Sequence, residues 1–282
     1  MGIRLPPPLE PDAHKGSAGR VLAIAGSRLM PGAAVLVARA AQRAGAGLVR
    51  MACLDAELLQ VIPAAAPEAV LLELTEGGTR EAIERCDAHA LLCGPGLGEV
   101  ERTRAVVRHL LAAGSGIPRV LDADALNVLA GEPEALLASA GPVVVTPHPG
   151  EAERLLARRV PREDDGRRAF AEELARRAGA VVCLKGRHTV VTDGERTFVN
   201  DSGNPGLATA GAGDVLAGIL AAYLAREVAS GALLDVQATA AAAVHVHGLA
   251  GDLAARAHGR RALIASDVVD AIGAAQLSLE DA

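Results

Sequence analysis

The sequence predicts an α/β fold: a three-layer αβα sandwich around a mostly parallel central sheet. Three observations lead there. Strand-type and helix-type runs alternate along most of the chain. Half of the 282 residues are hydrophobic, yet the aromatics amount to two Phe, one Tyr and no Trp. Glycine-rich turns recur just after predicted strands. Alternation of this kind places helices on both faces of a parallel sheet. A core of Ala, Val, Leu and Ile suits strands that are buried on both sides. Ligands of such sheets gather at the carboxyl ends of the strands, where most of the glycine-rich turns fall.

The elements follow in order. Residues 1–17 read as an irregular arm, extended by Pro6-Pro7-Pro8. Apolar runs predict strands over 20–25, 48–53, 68–72, 88–93, 119–121 and 142–145, with helices over 33–44, 100–112 and from about 150. Residues 180–184, 188–192 and 195–199 read as consecutive strands, the last two joined by an Asp193-Gly194 hairpin turn. Three Ala-rich helices close the chain, over 214–228, 234–257 and 266–276. The Arg- and Glu-rich stretch 158–177 reads as a solvated helix face with its connecting loop. No internal repeat and no linker divides the chain, so residues 18–282 are expected to form one domain.

Composition excludes several function classes. Net charge is −6 and no dense Lys/Arg run occurs, so nothing points to a polyanion or a membrane surface. The scarcity of aromatics argues against single-stranded nucleic-acid binding, which needs stacking platforms. Cys53, Cys86, Cys93 and Cys183 are scattered without a Cys-x-x-Cys pair and read as reduced core residues of a cytoplasmic protein. The N-terminus lacks an apolar signal core, and Pro6 breaks the myristoylation pattern that Met1-Gly2 would open. The longest apolar stretches are too short to span a membrane.

The segment Asn204-Pro205-Gly206-Leu207-Ala208-Thr209-Ala210-Gly211-Ala212-Gly213-Asp214 carries the strongest chemical signal. Its glycines let consecutive N–H groups turn into one concavity, and the helix that follows adds its positive end. Such a site holds a phosphoryl group and the charge that develops on it. Asp214 falls in the first helical turn, where the helix dipole favours the ionised carboxylate. There it can take a proton from a hydroxyl that attacks phosphorus. On these residues alone, a plain helix cap at Asp214 explains the stretch equally well.

Gly-Ala-Gly-Asp opening a helix resembles the anion-hole motif of the ribokinase-like superfamily. Other segments sharpen the resemblance. In order they are His14-Lys15-Gly16, Pro31-Gly32-Ala33-Ala34, Gly45-Ala46-Gly47, Gly94-Pro95-Gly96-Leu97-Gly98, Asp122-Ala123-Asp124, Thr146-Pro147-His148-Pro149-Gly150-Glu151 and Lys185-Gly186-Arg187-His188-Thr189. The ordered set resembles the ADP-dependent NAD(P)H-hydrate dehydratases and covers nearly the whole chain from His14.

The resemblance implies a repair reaction. The S-epimer of hydrated NADH or NADPH would be dehydrated at the expense of ADP or ATP. The hydrate hydroxyl would be phosphorylated and phosphate then eliminated, leaving AMP if ADP is the donor. By family position Asp214 would be the base, and the amides around Gly211 and Gly213 would stabilise the transferring group. Lys185, Gly186, Arg187, His188, Thr189 and Gly213 would hold the nucleotide. Ala33 or Ala34, a glycine of the Gly94-Pro95-Gly96 turn, His148 and Asp214 would hold the hydrate. Glu151 would help organise Mg2+. The family further implies a homotetramer and a separate NAD(P)H-hydrate epimerase in the same pathway. Only about a dozen residues precede His14, so no N-terminal epimerase domain is expected. Ala212 stands where many dehydratases carry Thr, a change that keeps the backbone amides.

Other readings compete. A kinase of a small alcohol, such as a thiazole or pyrimidine vitamin precursor, would use the same fold and base. A nucleotide-binding regulator on a dead scaffold would not need the acid at Asp214. Gly94-x-Gly96-x-Gly98 lacks the Gly-x-Gly-x-x-Gly spacing of a dinucleotide-binding turn. Asp122 and Asp124 could face Mg2+ through water, or Asp124 could cap the helix after it. Lys185 could reach a phosphate or sit in a solvated turn. His148 reads as a substrate contact or a structural hydrogen bond. His245 and His247 point to different helix faces and make a poor metal pair, and His247 reads as structural.

Overall fold

The computed structural model describes residues 3–74 and 78–280. Residues 1–2, 75–77 and 281–282 lie outside the described residues, and with them the tip of the expected arm and the end of the expected domain. One sheet of nine strands runs through the molecule. It comprises β1 (Arg20–Ile24), β2 (Leu48–Cys53), β3 (Val70–Glu73), β4 (Ala90–Cys93), β5 (Arg119–Leu121), β6 (Val143–Val145), β7 (Val181–Leu184), β8 (Val190–Thr192) and β9 (Thr197–Val199). Their spatial order is β3-β2-β1-β4-β5-β6-β7-β8-β9. From β3 to β7 every pairing is parallel; β8 and β9 add an antiparallel edge.

Alternate residues of each strand feed two cores. In β1, Val21 and Ala23 join one apolar cluster, and Leu22 and Ile24 join the other. The first cluster packs under α1 (Pro31–Arg43), α2 (Leu58–Ala65), α8 (Ala212–Ala229), α9 (Val236–His258) and α10 (Ala265–Glu280). The second packs under α3 (Thr79–Arg85), α4 (Glu101–Ala112), α5 (Asp124–Asn127), α6 (Pro149–Leu156) and α7 (Asp164–Ala178). These are the three expected layers, and all four cysteines are buried and free.

The elements missing from the sequence reading are short. Helix α2 contains Pro63, α3 has seven residues with Ile83 and Thr79 buried, and α5 is a single turn. None offers a long enough apolar stripe to register as periodic. The arm has no helix or strand over residues 3–17. Arg226, in the last turn of α8, ties it down by donating to the carbonyls of Pro7, Pro8 and Ser17.

One buried cation explains how a three-residue strand begins with arginine. Arg119 is fully buried, and its guanidinium donates to the carbonyls of Leu110, Leu111, Gly114 and Ile117. It thereby satisfies the orphan carbonyls at the end of α4 and the loop after it.

The topology positions a site. The chain lays β2 and β3 on one side of β1 and then returns to place β4 on the other. In sheets of this kind the ligand crevice lies where the winding reverses, here outside the carboxyl ends of β1 and β4.

Candidate active site

Two turns meet at this reversal. Gly26, after β1, donates to Pro95 O at 2.7 Å, and Gly94, after β4, donates to Ile24 O at 3.1 Å. A Cβ on Gly26 would lie 2.7 Å from that of Ala34, and one on Gly96 2.8 Å from that of Ala33. Ala33 therefore lines the Gly94–Gly96 turn, and Ala34 lines the Gly26 turn bonded to it. Gly94 has φ +130, and a side chain there would overlap the Asp122 carbonyl. The next strand end thus sits directly against the turn.

The segment from Gly211 to Asp214 opens α8 above β1, β4 and β5. Gly211 is the N-cap, with φ +87, and no side chain caps the helix. In the first turn Ala212 N donates to Thr209 O at 3.4 Å, whereas the amides of Gly213 and Asp214 lack intrahelical acceptors and remain available to an anion. Asp214 is the third helical residue, so the plain-cap reading of it is corrected. The dipole expectation is also outweighed. Burial raises the Asp214 carboxyl to about 7, and Asp122, Asp124 and Glu151 push it the same way against the opposing pull of Lys185.

Lys185 stands among these carboxylates. Its Nζ donates to Asp122 Oδ1 at 2.9 Å and lies 3.9 Å from Glu151 Oε2. A Cβ on Gly213 would be 3.2 Å from the same ammonium. The side chain is 21% exposed, so Lys185 is not a solvated turn residue. Burial alone would drive its pKa down, but Asp122, Glu151 and Asp214 outweigh it and the net shift is upward. The ammonium stays charged.

His148 caps α6. Its Nδ1 accepts from the amides of Gly150 and Glu151, while Glu151 Oε2 accepts from His148 N at 2.7 Å. The structural hydrogen bond weighed for His148 is therefore present. Burial, with Lys185 beside it, lowers the His148 pKa and keeps the ring neutral. Its half-exposed face leaves room for a second contact. Glu151 is only 4% exposed, and burial raises its pKa. Asp124 opens α5 but does not cap it; its Oδ2 accepts from Gly98 N at 2.7 Å.

Beyond Lys185 the strand turns outward. Thr189 Oγ1 donates to Gly186 O at 3.3 Å, and His188 Nδ1 lies 3.4 Å from Asp164. Arg187 is exposed. Arg167 of α7 donates to Lys185 O at 3.1 Å and covers Gly186. Nothing in the sequence singled out Arg167 within its arginine-rich helix. His14-Lys15-Gly16 and Gly45-Ala46-Gly47 fall before β1 and β2, at the amino ends of the strands. Gly19 O accepts from Gly47 N there at 2.9 Å. These two motifs serve the fold and not the crevice.

The donor set suits Mg2+ in one specific manner. Among the described residues no three His, Cys, Asp or Glu side chains converge as a metal cage. Asp122, Asp124, Glu151 and Asp214 nevertheless concentrate negative charge near a single ammonium. A hard cation that keeps its waters and shares phosphate oxygens fits such a site better than one needing a full protein shell. Chemically, a carboxyl poised near neutrality beside free helical amides can accept a proton while an anion is held.

Known proteins resemble this chain along nearly its whole length. The chain is 39% identical over 285 residues to the bifunctional NAD(P)H-hydrate repair enzyme of Moorella thermoacetica, covering 98% of this chain and 52% of that protein. It thus spans about half the length of that relative. The ADP-dependent (S)-NAD(P)H-hydrate dehydratase of Neisseria meningitidis serogroup B is 36% identical, with 92% of this chain and 86% of that one aligned. The ADP/ATP-dependent NAD(P)H-hydrate dehydratase of Bacillus subtilis, crystallised with ATP and Mg2+, superposes with a TM-score of 0.82 at 31% identity, over 98% of this chain and 94% of that one. The fold is ribokinase-like. Residues 21–273 match the family described as NAD(P)H-hydrate dehydratase. The chain belongs to the NAD(P)H-hydrate dehydratase family.

Proposed function

We propose that this protein dehydrates the S-epimer of hydrated NADH or NADPH, using ADP or ATP as phosphoryl donor. The observation that carries the proposal is Asp214, a carboxyl raised to about 7 on the first turn of α8. Asp214 takes the proton of the hydrate hydroxyl as that oxygen attacks the terminal phosphorus. The bond from phosphorus to the nucleotide breaks, and the amides of Gly211 and Gly213 hold the transferring group. The new phosphate ester is a good leaving group. Its C–O bond breaks, a neighbouring ring carbon loses a proton, and the ring double bond returns. ADP leaves as AMP, with phosphate as the other product.

Lys185 steadies the nucleotide phosphates, and residues 186–189 follow the rest of the nucleotide. Ala33 or Ala34, Gly94 or Gly96 and His148 bound the hydrate. Glu151, with Asp122 near it, would help hold Mg2+, and Asp124, which acts on Asp214, would add to the negative charge there. When bound, Mg2+ offsets phosphate charge during transfer. Residues 18–282 act as one domain, the assembly is a homotetramer, and a NAD(P)H-hydrate epimerase supplies the reactive isomer in the cytoplasm. Among the described residues no helix is long and apolar enough to cross a membrane.

The test is a repair assay with NADPH hydrate and each nucleotide in turn. Near-ultraviolet absorbance of the reduced nicotinamide should return only while nucleotide is consumed, and ADP should suffice. A stable phosphorylated alcohol with no regained absorbance would assign the protein to the small-alcohol kinases instead.

A further inference from the structure

We propose that helix α9 is the template that holds the anion-binding segment in shape, and that Asp252 is its positioning residue. The inference rests on the reading above, which makes that segment the phosphoryl site.

The loop from Asn200 to Gly211 contains no long element and must satisfy its polar groups elsewhere. It does so on α9. Asp252 Oδ2 accepts from Gly203 N at 2.9 Å, and its Oδ1 accepts from Asn204 Nδ2 at 2.9 Å. Asn204 is fully employed: Nδ2 also donates to Gly251 O, and Oδ1 accepts from Gly206 N. Ser202 Oγ donates to His245 O at 2.9 Å. At the far end, His247 Nε2 donates to Ala212 O at 2.9 Å, on the first residue of α8. One helix therefore pins the segment at both ends, through Asp252 and His247.

The surface of α9 is shaped for this contact. A Cβ on Gly248 would overlap the Ser202 hydroxyl and come 2.7 Å from that residue's carbonyl carbon. One on Gly251 would lie 2.7 Å from the Leu207 side chain. Glycine is unfavourable inside a helix. Two of them, three residues apart, allow the loop backbone to rest directly on the helix. Asp252 touches neither the crevice nor Asp214. It acts by fixing where the loop leaves α9, and so where the amides of residues 211–214 point.

Asp252→Ala in the full chain tests this. With the wild-type protein as control in the same assay, kcat should fall by about 100-fold, as expected for a misplaced catalytic group. The affinity for ADP should fall much less than kcat, by no more than about tenfold, because Lys185 and residues 186–189 still hold the nucleotide and only the contact at Gly213 is displaced. Amide hydrogen exchange over residues 203–214 should quicken with ADP bound. Unchanged turnover and unchanged exchange would overturn the proposal. So would a loss of turnover explained wholly by a smaller folded fraction. Gly248→Ala is the second variant. It favours the helix but displaces the Ser202 backbone, so turnover should fall in a protein that still melts cooperatively. Full activity of a folded Gly248→Ala protein would also overturn the template role. If the wild type shows no repair, the functional reading fails by itself, and the exchange experiment still decides whether α9 holds the loop.

Discussion

Lys185 joins the end of β7 to the turn after β5 through Asp122, with Nζ and Oδ1 2.9 Å apart. The pair sets the charge around Asp214, whose own carboxyl is raised by Asp122 and lowered by Lys185. This relationship leads to the first prediction. The base is active when ionised, so kcat/KM should rise with pH along a limb with an apparent pKa near 7. In Asp122→Asn one raising carboxylate is gone and Lys185 is freed toward Asp214. Both changes lower the Asp214 pKa, so the limb should move to more acidic pH. A pH–rate profile measures it, and a limb that stays in place or moves to alkaline pH contradicts the coupling.

A second prediction concerns the base itself. Asp214→Asn should lower turnover by about 10²- to 10⁴-fold, the usual worth of a general base. Calorimetric ADP binding should stay close to that of the parent. Near-normal turnover would remove Asp214 from the role.

The same substitution should alter stability. The Asp214 carboxyl goes from its ordinary value of 3.8 in the unfolded chain to about 7 on folding. Between these values the native state holds a proton that the unfolded chain has released, so stability falls as pH rises through the window. The cost is complete above about 7 and absent below the unfolded value. Asp214→Asn never ionises and escapes it. Its melting temperature should exceed that of the parent at pH 8, and the gap should close toward pH 4. A variant equally or less stable at pH 8 would contradict the burial of an uncompensated charge.

These residues also mark how far the sequence could be read. The strands and the long helices were legible because apolar periodicity is a local signal; the turn at Asp193-Gly194 was legible in place only, since the loop runs on to Arg196 before β9 starts at Thr197. Asp214 and Lys185 were legible as chemistry at the ends of elements. The charge balance was not. The Lys185–Asp122 pair joins residues 63 positions apart, and burial, which dominates the Asp214 shift, is a property of the packed crevice. For that reason the dipole argument gave the wrong direction. Of the two readings open for Asp124, the cap fails because its side chain is taken by Gly98 N, 26 residues earlier. The clamp on α9 was hidden for the same reason, with Asp252 lying 49 residues beyond Gly203.

Arg119 gives a prediction about the fold alone. Burial lowers its pKa to about 10, and it still serves as donor to several carbonyls. Arg119→Leu fills similar space but leaves those acceptors unpaired. The loss should be about 3 kcal/mol or more, as expected when a buried hydrogen-bond network is broken. Denaturant melts should show it as a lower midpoint with an unchanged slope. A midpoint within error of the parent would mean that water replaces the guanidinium without cost.

The two glycines that frame the crevice turn should behave differently when replaced. Gly94→Ala places a methyl group onto the Asp122 carbonyl at φ +130. Neither backbone can yield without moving β4 away from the turn after β5. The variant should lose about 3 kcal/mol or more, and turnover with it, because Asp122 and hence Lys185 are displaced. Gly98→Ala meets nothing within 4 Å, at φ +84. It should cost only the strain of a left-handed alanine, about 1–2 kcal/mol, and keep most of its activity. Thermal melts and the repair assay on both variants separate the two. Equal losses would mean that backbone strain, and not contact with the strand end at Asp122, makes this turn require glycine.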